Sequence, residues 1–127
     1  MSLQSPLRRV MGLGSAKEGA GHWWAQRLTA ISLVPLGLWF VFSVLGLDHG
    51  QYEIVRAWIA DPAHAILLLL LILALLYHSY LGLQVVIEDY VHGATKIATL
   101  ISVQFIHVLV AVSSIYAIIA VSVGAGT

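Results

Sequence analysis

The sequence predicts an all-α integral membrane protein with three transmembrane helices, and three observations carry that prediction. Hydrophobic residues fill 60% of the 127 positions and charged residues only 9%, far from the balance of a water-soluble domain. Residues 28–47, 63–87 and 97–127 contain no Asp, Glu, Lys or Arg. Each of these stretches reaches the roughly 20 residues a helix needs to cross the hydrocarbon core. The alternating segments of about 10 residues that build a membrane barrel are absent, so helices, which satisfy their own backbone groups, are the workable form in lipid.

Taken in order, residues 1–25 form a mostly polar N-terminal segment. Its "GLGSAKEGAG" is expected as a flexible lead-in, and Trp23 and Trp24 suit an interfacial aromatic belt. Helix 1 is expected over 26–47. A cleaved signal peptide is the competing account of this run, but a long polar stretch precedes it and it exceeds the usual core of about 7 to 15 residues, so it is expected to stay attached. Pro35 can bend the helix without implying a function. Residues 48–61 are an outer loop with a short surface helix around 52–59, and Pro62 suits the first turn of helix 2, expected over 62–90. A loop over 91–96 turns at Gly93, and helix 3 follows over 97–123. Arg8, Arg9, Lys17, Arg27 and Lys96 fall on one side of the spans and Arg56 alone on the other. This asymmetry predicts a cytoplasmic N-terminus and an outer C-terminus, as in a multi-pass protein of a bacterial inner membrane.

Chemistry concentrates in "YHSYLGLQVVIEDYVHG", residues 77–93. His78, Gly82, Val85 and Asp89 recur at spacings that return to one helix face, which is expected to look inward. The rise from His78 to Asp89 is about 16 Å, placing the imidazole near mid-membrane and the acid at the interface. Such an imidazole has three uses: a hydrogen bond between helices, a proton relay, or ligation of a haem iron. Gly82, one turn along, leaves room for a flat macrocycle or for another backbone. Asp89 and Tyr90 are ordinary residues at a lipid–water boundary, yet a phenol beside a carboxylate also suits hydrogen bonding and proton delivery to a quinone. The chain has no cysteine, so disulfides and thiolate-held iron–sulfur clusters are excluded.

"QRLTAI" at 26–31 together with "HSYLGLQVVIEDYVHG" at 78–93 resembles the hydrophobic membrane-anchor, or D, subunits of succinate dehydrogenase, and the long "GSAKEGAGHWWAQR" resembles their alphaproteobacterial and mitochondrial-like branch. The resemblance implies a helix bundle shared with a second anchor subunit. It also implies a complex in which a flavoprotein with FAD oxidises succinate and an iron–sulfur subunit passes electrons to ubiquinone. By the same resemblance His78 is an axial ligand of haem b, the other axial histidine coming from the second anchor. Tyr90 hydrogen-bonds the ubiquinone head group, Asp89 is its acidic neighbour, and Arg27 lies near the haem propionates.

His107, about as deep in helix 3 as His78 is in helix 2, opens a rival arrangement in which both ligate one haem within a single chain, as in a stand-alone b-type cytochrome. Its other expected role is packing, with a hydrogen bond to Ser102, Ser113 or a neighbour. A structural or proton-conducting membrane protein without haem is the third possibility, with Asp89 as its functional group. His22, His49, His64 and His92 are expected as interfacial histidines, and Ala98, Ser102, Ser113 and Ala117 as small residues allowing close helix contact.

Overall fold

The computed structural model describes residues 16–124, and side chains from Gly19 onward. Arg8, Arg9 and the start of the glycine-rich lead-in therefore lie outside the described residues, as does the Lys17 side chain. Four helices follow one another: α1 (Ala16–Leu45), α2 (Tyr52–Ala60), α3 (Pro62–Tyr90) and α4 (Ala94–Gly124). Three of them, α1, α3 and α4, are long and apolar enough to cross a membrane. At 1.5 Å per residue α3 is about 44 Å long, which exceeds the ~30 Å hydrocarbon core.

Helix α1 begins well ahead of the span expected from residue 26, taking in the end of the glycine-rich lead-in and both tryptophans. Gly19 and Gly21 are tolerated there because the helix simply continues outward from an apolar span. Pro35 lies inside α1, where it withholds one backbone donor. The α1–α2 connection is tied by Asp48, whose carboxylate accepts from Gly50 N at 3.0 Å and from the Gln51 amide at 3.0 Å. Asp61 then serves two helices: its N–H bonds the Ala57 carbonyl at the end of α2, and its carboxylate caps α3 through Ala63 N and His64 N at 3.0 and 3.1 Å. Pro62 occupies the first turn, where its missing N–H costs nothing. Between α3 and α4, Gly93 takes φ +71°, a left-handed conformation that a side chain would strain.

Helix α3 is the central element. It packs on both α1 and α4, whose backbones are not in contact with each other, while α2 leans on α3 and α4. A packed cluster lies at the end of the bundle that carries α2, where Ala65, Leu68 and Ile118 are buried against Trp39, Trp58, Ile59, Leu69 and Ile72; Leu81 and Ile87, further along α3, are buried as well. Trp39 stacks on Trp58 at 5.9 Å between centroids and Trp58 on His64 at 4.7 Å, with His64 Nδ1 donating to the Trp58 carbonyl at 3.0 Å. Arg56 of α2 donates to the Gly124 carbonyl and so closes the end of α4. Elsewhere the spans expose Leu, Ile, Val and Phe freely, the surface of a chain whose surroundings are apolar. Ala98, Ser102, Ser113 and Ala117 are among the exposed residues of α4 and meet no helix of this chain closely.

Asp61 supplies a testable feature of this packing. Replacing it with Ala should cost about 1 kcal/mol through the lost α3 cap, seen as earlier loss of helical circular dichroism on heating in mild detergent. Asp61→Asn, which keeps an acceptor oxygen, should stay close to wild type.

Candidate functional site

The end of the bundle opposite α2 is less tightly closed. There the first turns of α1 lie beside the last turns of α3, and between them runs a groove of about 640 Å³ lined by Gly19, His22, Trp23, Gln26, Gly82, Gln84, Val85 and Glu88. On α1 these residues recur every three to four positions and therefore share one face. On α3 the lining comes from Gly82, Gln84, Val85 and Glu88. Asp89, expected on the inward face, is exposed and does not line the groove, whereas Glu88 does.

His78 is half-buried and turned toward α1. Its Nδ1 lies 3.0 Å from Thr29 Oγ1 and its Nε2 lies 3.5 Å from the Gln26 amide nitrogen. The Thr29 hydroxyl also reaches back to the Ala25 and Gln26 carbonyls at 2.8 and 3.0 Å. Gly82 faces the same glutamine: a Cβ built there would meet Gln26 Nε2 at 3.6 Å, an ordinary van der Waals contact and not a clash. Two buried polar atoms in this region have no hydrogen-bond partner among the described residues, Gln26 Oε1 and His22 Nε2. Buried atoms of this kind usually find a partner, and their coincidence at one groove is notable for that reason.

Arg27 is exposed at the rim, its guanidinium 4.3 Å above the Trp23 ring in a cation–π contact. Tyr90 ends α3 with 79% of its surface exposed. Neither Tyr90 nor Asp89 makes a hydrogen bond or ion pair to another described residue. Glu88 is held by Gln84, whose amide donates to it at 2.9 Å, and its main-chain carbonyl accepts from Lys96 at 3.2 Å, a cation placed against the negative end of α3.

His107 belongs to a different face. Its Nδ1 donates to the Val103 carbonyl at 2.8 Å, its Nε2 lies 3.3 Å from Ser79 Oγ, and its ring meets Tyr80 edge-on. The partners are thus Val103 and Ser79 rather than Ser102, whose hydroxyl bonds the Ala98 carbonyl, or Ser113. His78 looks to α1 and His107 to the α3–α4 seam, so the structure does not bring the two imidazoles to one site. Among the described residues no three His, Cys, Asp or Glu side chains gather as an ion site.

Sequence reasoning missed Gln26, Thr29, His22 and Glu88. A signal existed for the first two, because polar side chains three positions apart at the start of an apolar span share a helix face. Which α3 residue that face would meet was not available without the helix crossing.

The sequence profile of the family described as succinate dehydrogenase/fumarate reductase transmembrane subunit matches residues 1–121. The chain is 38% identical over 111 residues to the succinate dehydrogenase hydrophobic membrane anchor subunit of Rickettsia bellii (strain RML369-C), covering 87% of this chain and 89% of that one. It is 30% identical over 124 residues to the subunit of the same name from Paracoccus denitrificans, covering 95% and 94%. With the succinate dehydrogenase membrane anchor subunit of Reclinomonas americana it shares 32% identity over 102 residues, 71% of this chain and 78% of that one. No solved structure matches it at a comparable level. Three apolar spans, the matched profile and relatives aligned over most of their length agree: the chain belongs to the family of succinate dehydrogenase/fumarate reductase transmembrane subunits.

Proposed function

We propose that this chain is the D-type anchor of a succinate:ubiquinone oxidoreductase, supplying one axial ligand to haem b and part of the ubiquinone-reduction site. Its partners are a second membrane anchor, an iron–sulfur subunit and a flavoprotein, the last two carrying the iron–sulfur clusters and FAD. The observation that carries the reading is His78: a half-buried imidazole deep in a span, held through Nδ1, with Nε2 in no good hydrogen bond.

The residues fit a haem. A porphyrin supplies four of its iron's ligands and asks a single nitrogen of each face, so a lone histidine from this chain is enough, with the opposite one from the second anchor. Gly82 lines the groove beside Gln26 with no side chain of its own, and Gln26 Oε1 and His22 Nε2, without partners among the described residues, are polar atoms of that groove free to meet a bound group. Arg27, at the rim and backed by Trp23, is suited to clamp a propionate carboxylate. Haem b, when bound, supplies a one-electron redox centre.

The rest falls to this chain's own groups. Tyr90 presents its phenol at the end of α3 as a hydrogen-bond donor to a quinone carbonyl, while Asp89 beside it relays protons from water as two electrons arrive from the iron–sulfur subunit. Succinate does not touch this chain. The exposed apolar faces of the spans bury against the second anchor and lipid. Charge asymmetry, with Arg27 and Lys96 at one end and Arg56 at the other, favours a cytoplasmic N-terminus in a bacterial inner membrane, so Tyr90 emerges where the iron–sulfur subunit docks. The intrachain bis-histidine alternative gains no support, because His78 contacts α1 while His107 contacts Val103 and Ser79 at the α3–α4 seam.

Purification through a tag on this chain in mild detergent should bring down three further subunits and a b-type absorption band on reduction. His78→Ala should abolish that band, and its persistence would remove the ligand assignment. Tyr90→Phe should lower succinate-driven ubiquinone reduction by on the order of 10²-fold while reduction of a soluble dye by the flavoprotein continues; undiminished quinone reduction would refute the role given to Tyr90. Because the chain has no native cysteine, topology can be read from single replacements at exposed sites. A membrane-impermeant maleimide should label His49→Cys from the outer side of spheroplasts and His92→Cys only after permeabilisation.

A further inference from the structure

We infer that Thr29 fixes the tautomer of His78, keeping the proton on Nδ1 so that Nε2 retains the lone pair a metal ligand needs. The inference rests on the reading of His78 as an axial ligand and adds a positioning residue that acts through it.

The assignment follows from counting protons. A threonine hydroxyl has one proton and two lone pairs, and a backbone carbonyl can only accept. Thr29 Oγ1 lies 2.8 Å from the Ala25 carbonyl and 3.0 Å from the Gln26 carbonyl, so its single proton is drawn into its own helix. At 3.0 Å from His78 Nδ1 the oxygen is then left with lone pairs, and a bond between the two requires the hydrogen to come from the imidazole. The neutral ring carries one N–H, so Nε2 is unprotonated.

The second contact agrees. Gln26 Nε2, 3.5 Å from His78 Nε2, is an amide nitrogen that only donates, so it tolerates a lone pair and opposes an N–H. Turning the amide over would bring Oε1 toward the ring and favour a proton on Nε2. The Thr29 hydroxyl would then have to withdraw its single proton from the Ala25 and Gln26 carbonyls to donate to Nδ1, and its oxygen would no longer accept from the ring. The geometry around Thr29 therefore selects the form in which Nε2 can bind iron, before any iron is present. A hydrogen bond from the distal ring nitrogen of a ligating histidine also makes it a better electron donor, which favours the ferric state.

The test uses the assembled complex carrying Thr29→Val, which keeps the shape and loses the acceptor, and Thr29→Ser, which keeps both. The readouts are the haem midpoint potential by redox titration and the rate of haem loss to apomyoglobin. Thr29→Val should release haem roughly 10-fold faster and raise the potential; a tenfold loss of ferric preference corresponds to about 59 mV for one electron. Thr29→Ser should restore both values. Should Thr29→Val not assemble, Thr29→Cys, a weaker acceptor of similar size, should give an intermediate upward shift. Wild-type potential and haem loss in Thr29→Val or Thr29→Cys would overturn the inference. So would failure of both to assemble beside a normal Thr29→Ser, which would assign the hydroxyl to holding helices together. A band that survives His78→Ala would instead sink the ligand assignment itself, so the two failures are distinguishable.

Discussion

A polar ring set deep in an apolar helix must find a partner on a neighbouring helix, because lipid offers none. In this chain that requirement falls on His78, and α1 meets it through Thr29 at 3.0 Å. The contact ties the first span to the central one at a depth where few other polar groups are available. Gly82 keeps the two helices open to each other just beyond it, and Gln26 fills the gap between the glycine and the imidazole. This pairing is one polar point in the packing of α1 on α3.

The two ends of the bundle are built differently. At the α2 end, a stack of Trp39, Trp58 and His64 and the capping carboxylate of Asp61 lock a short amphipathic helix onto α3 and α4. At the other end the packing is loose, buried polar atoms lack partners and Tyr90 stands out from the helix. Rigid closure at one end and unsatisfied surface at the other is the distribution expected of a subunit completed by neighbours. The exposed small residues of α4, Ala98, Ser102, Ser113 and Ala117, are part of the surface available to such neighbours.

Much of the fold was legible from residue type alone. Charge-free runs gave the spans because burying an ionised group in hydrocarbon is costly, and Pro62 and Gly93 marked the turns through backbone constraints that act locally. The start of α1 was misread because glycine and polar residues suggest a flexible segment, yet a helix anchored in a long span can continue through them at modest cost. At the site, His78 stood out as a polar residue within an apolar tract and Gly82 by its spacing from it. Asp89, expected on the inward face, is exposed and outside the groove, since helical periodicity describes one helix and not which of its residues a neighbour meets.

The amino-acid order therefore settled which segments are long and apolar enough to span, where they turn and which polar rings fall within them, as each of these depends on a residue and its near neighbours. Tertiary packing settled what no local rule reaches: that Thr29 rather than another hydroxyl meets His78, that Glu88 and not Asp89 lines the groove, and that His107 faces the opposite seam. Those outcomes depend on how helices cross, a relation between residues distant in the chain that is fixed only when all the apolar faces are packed together.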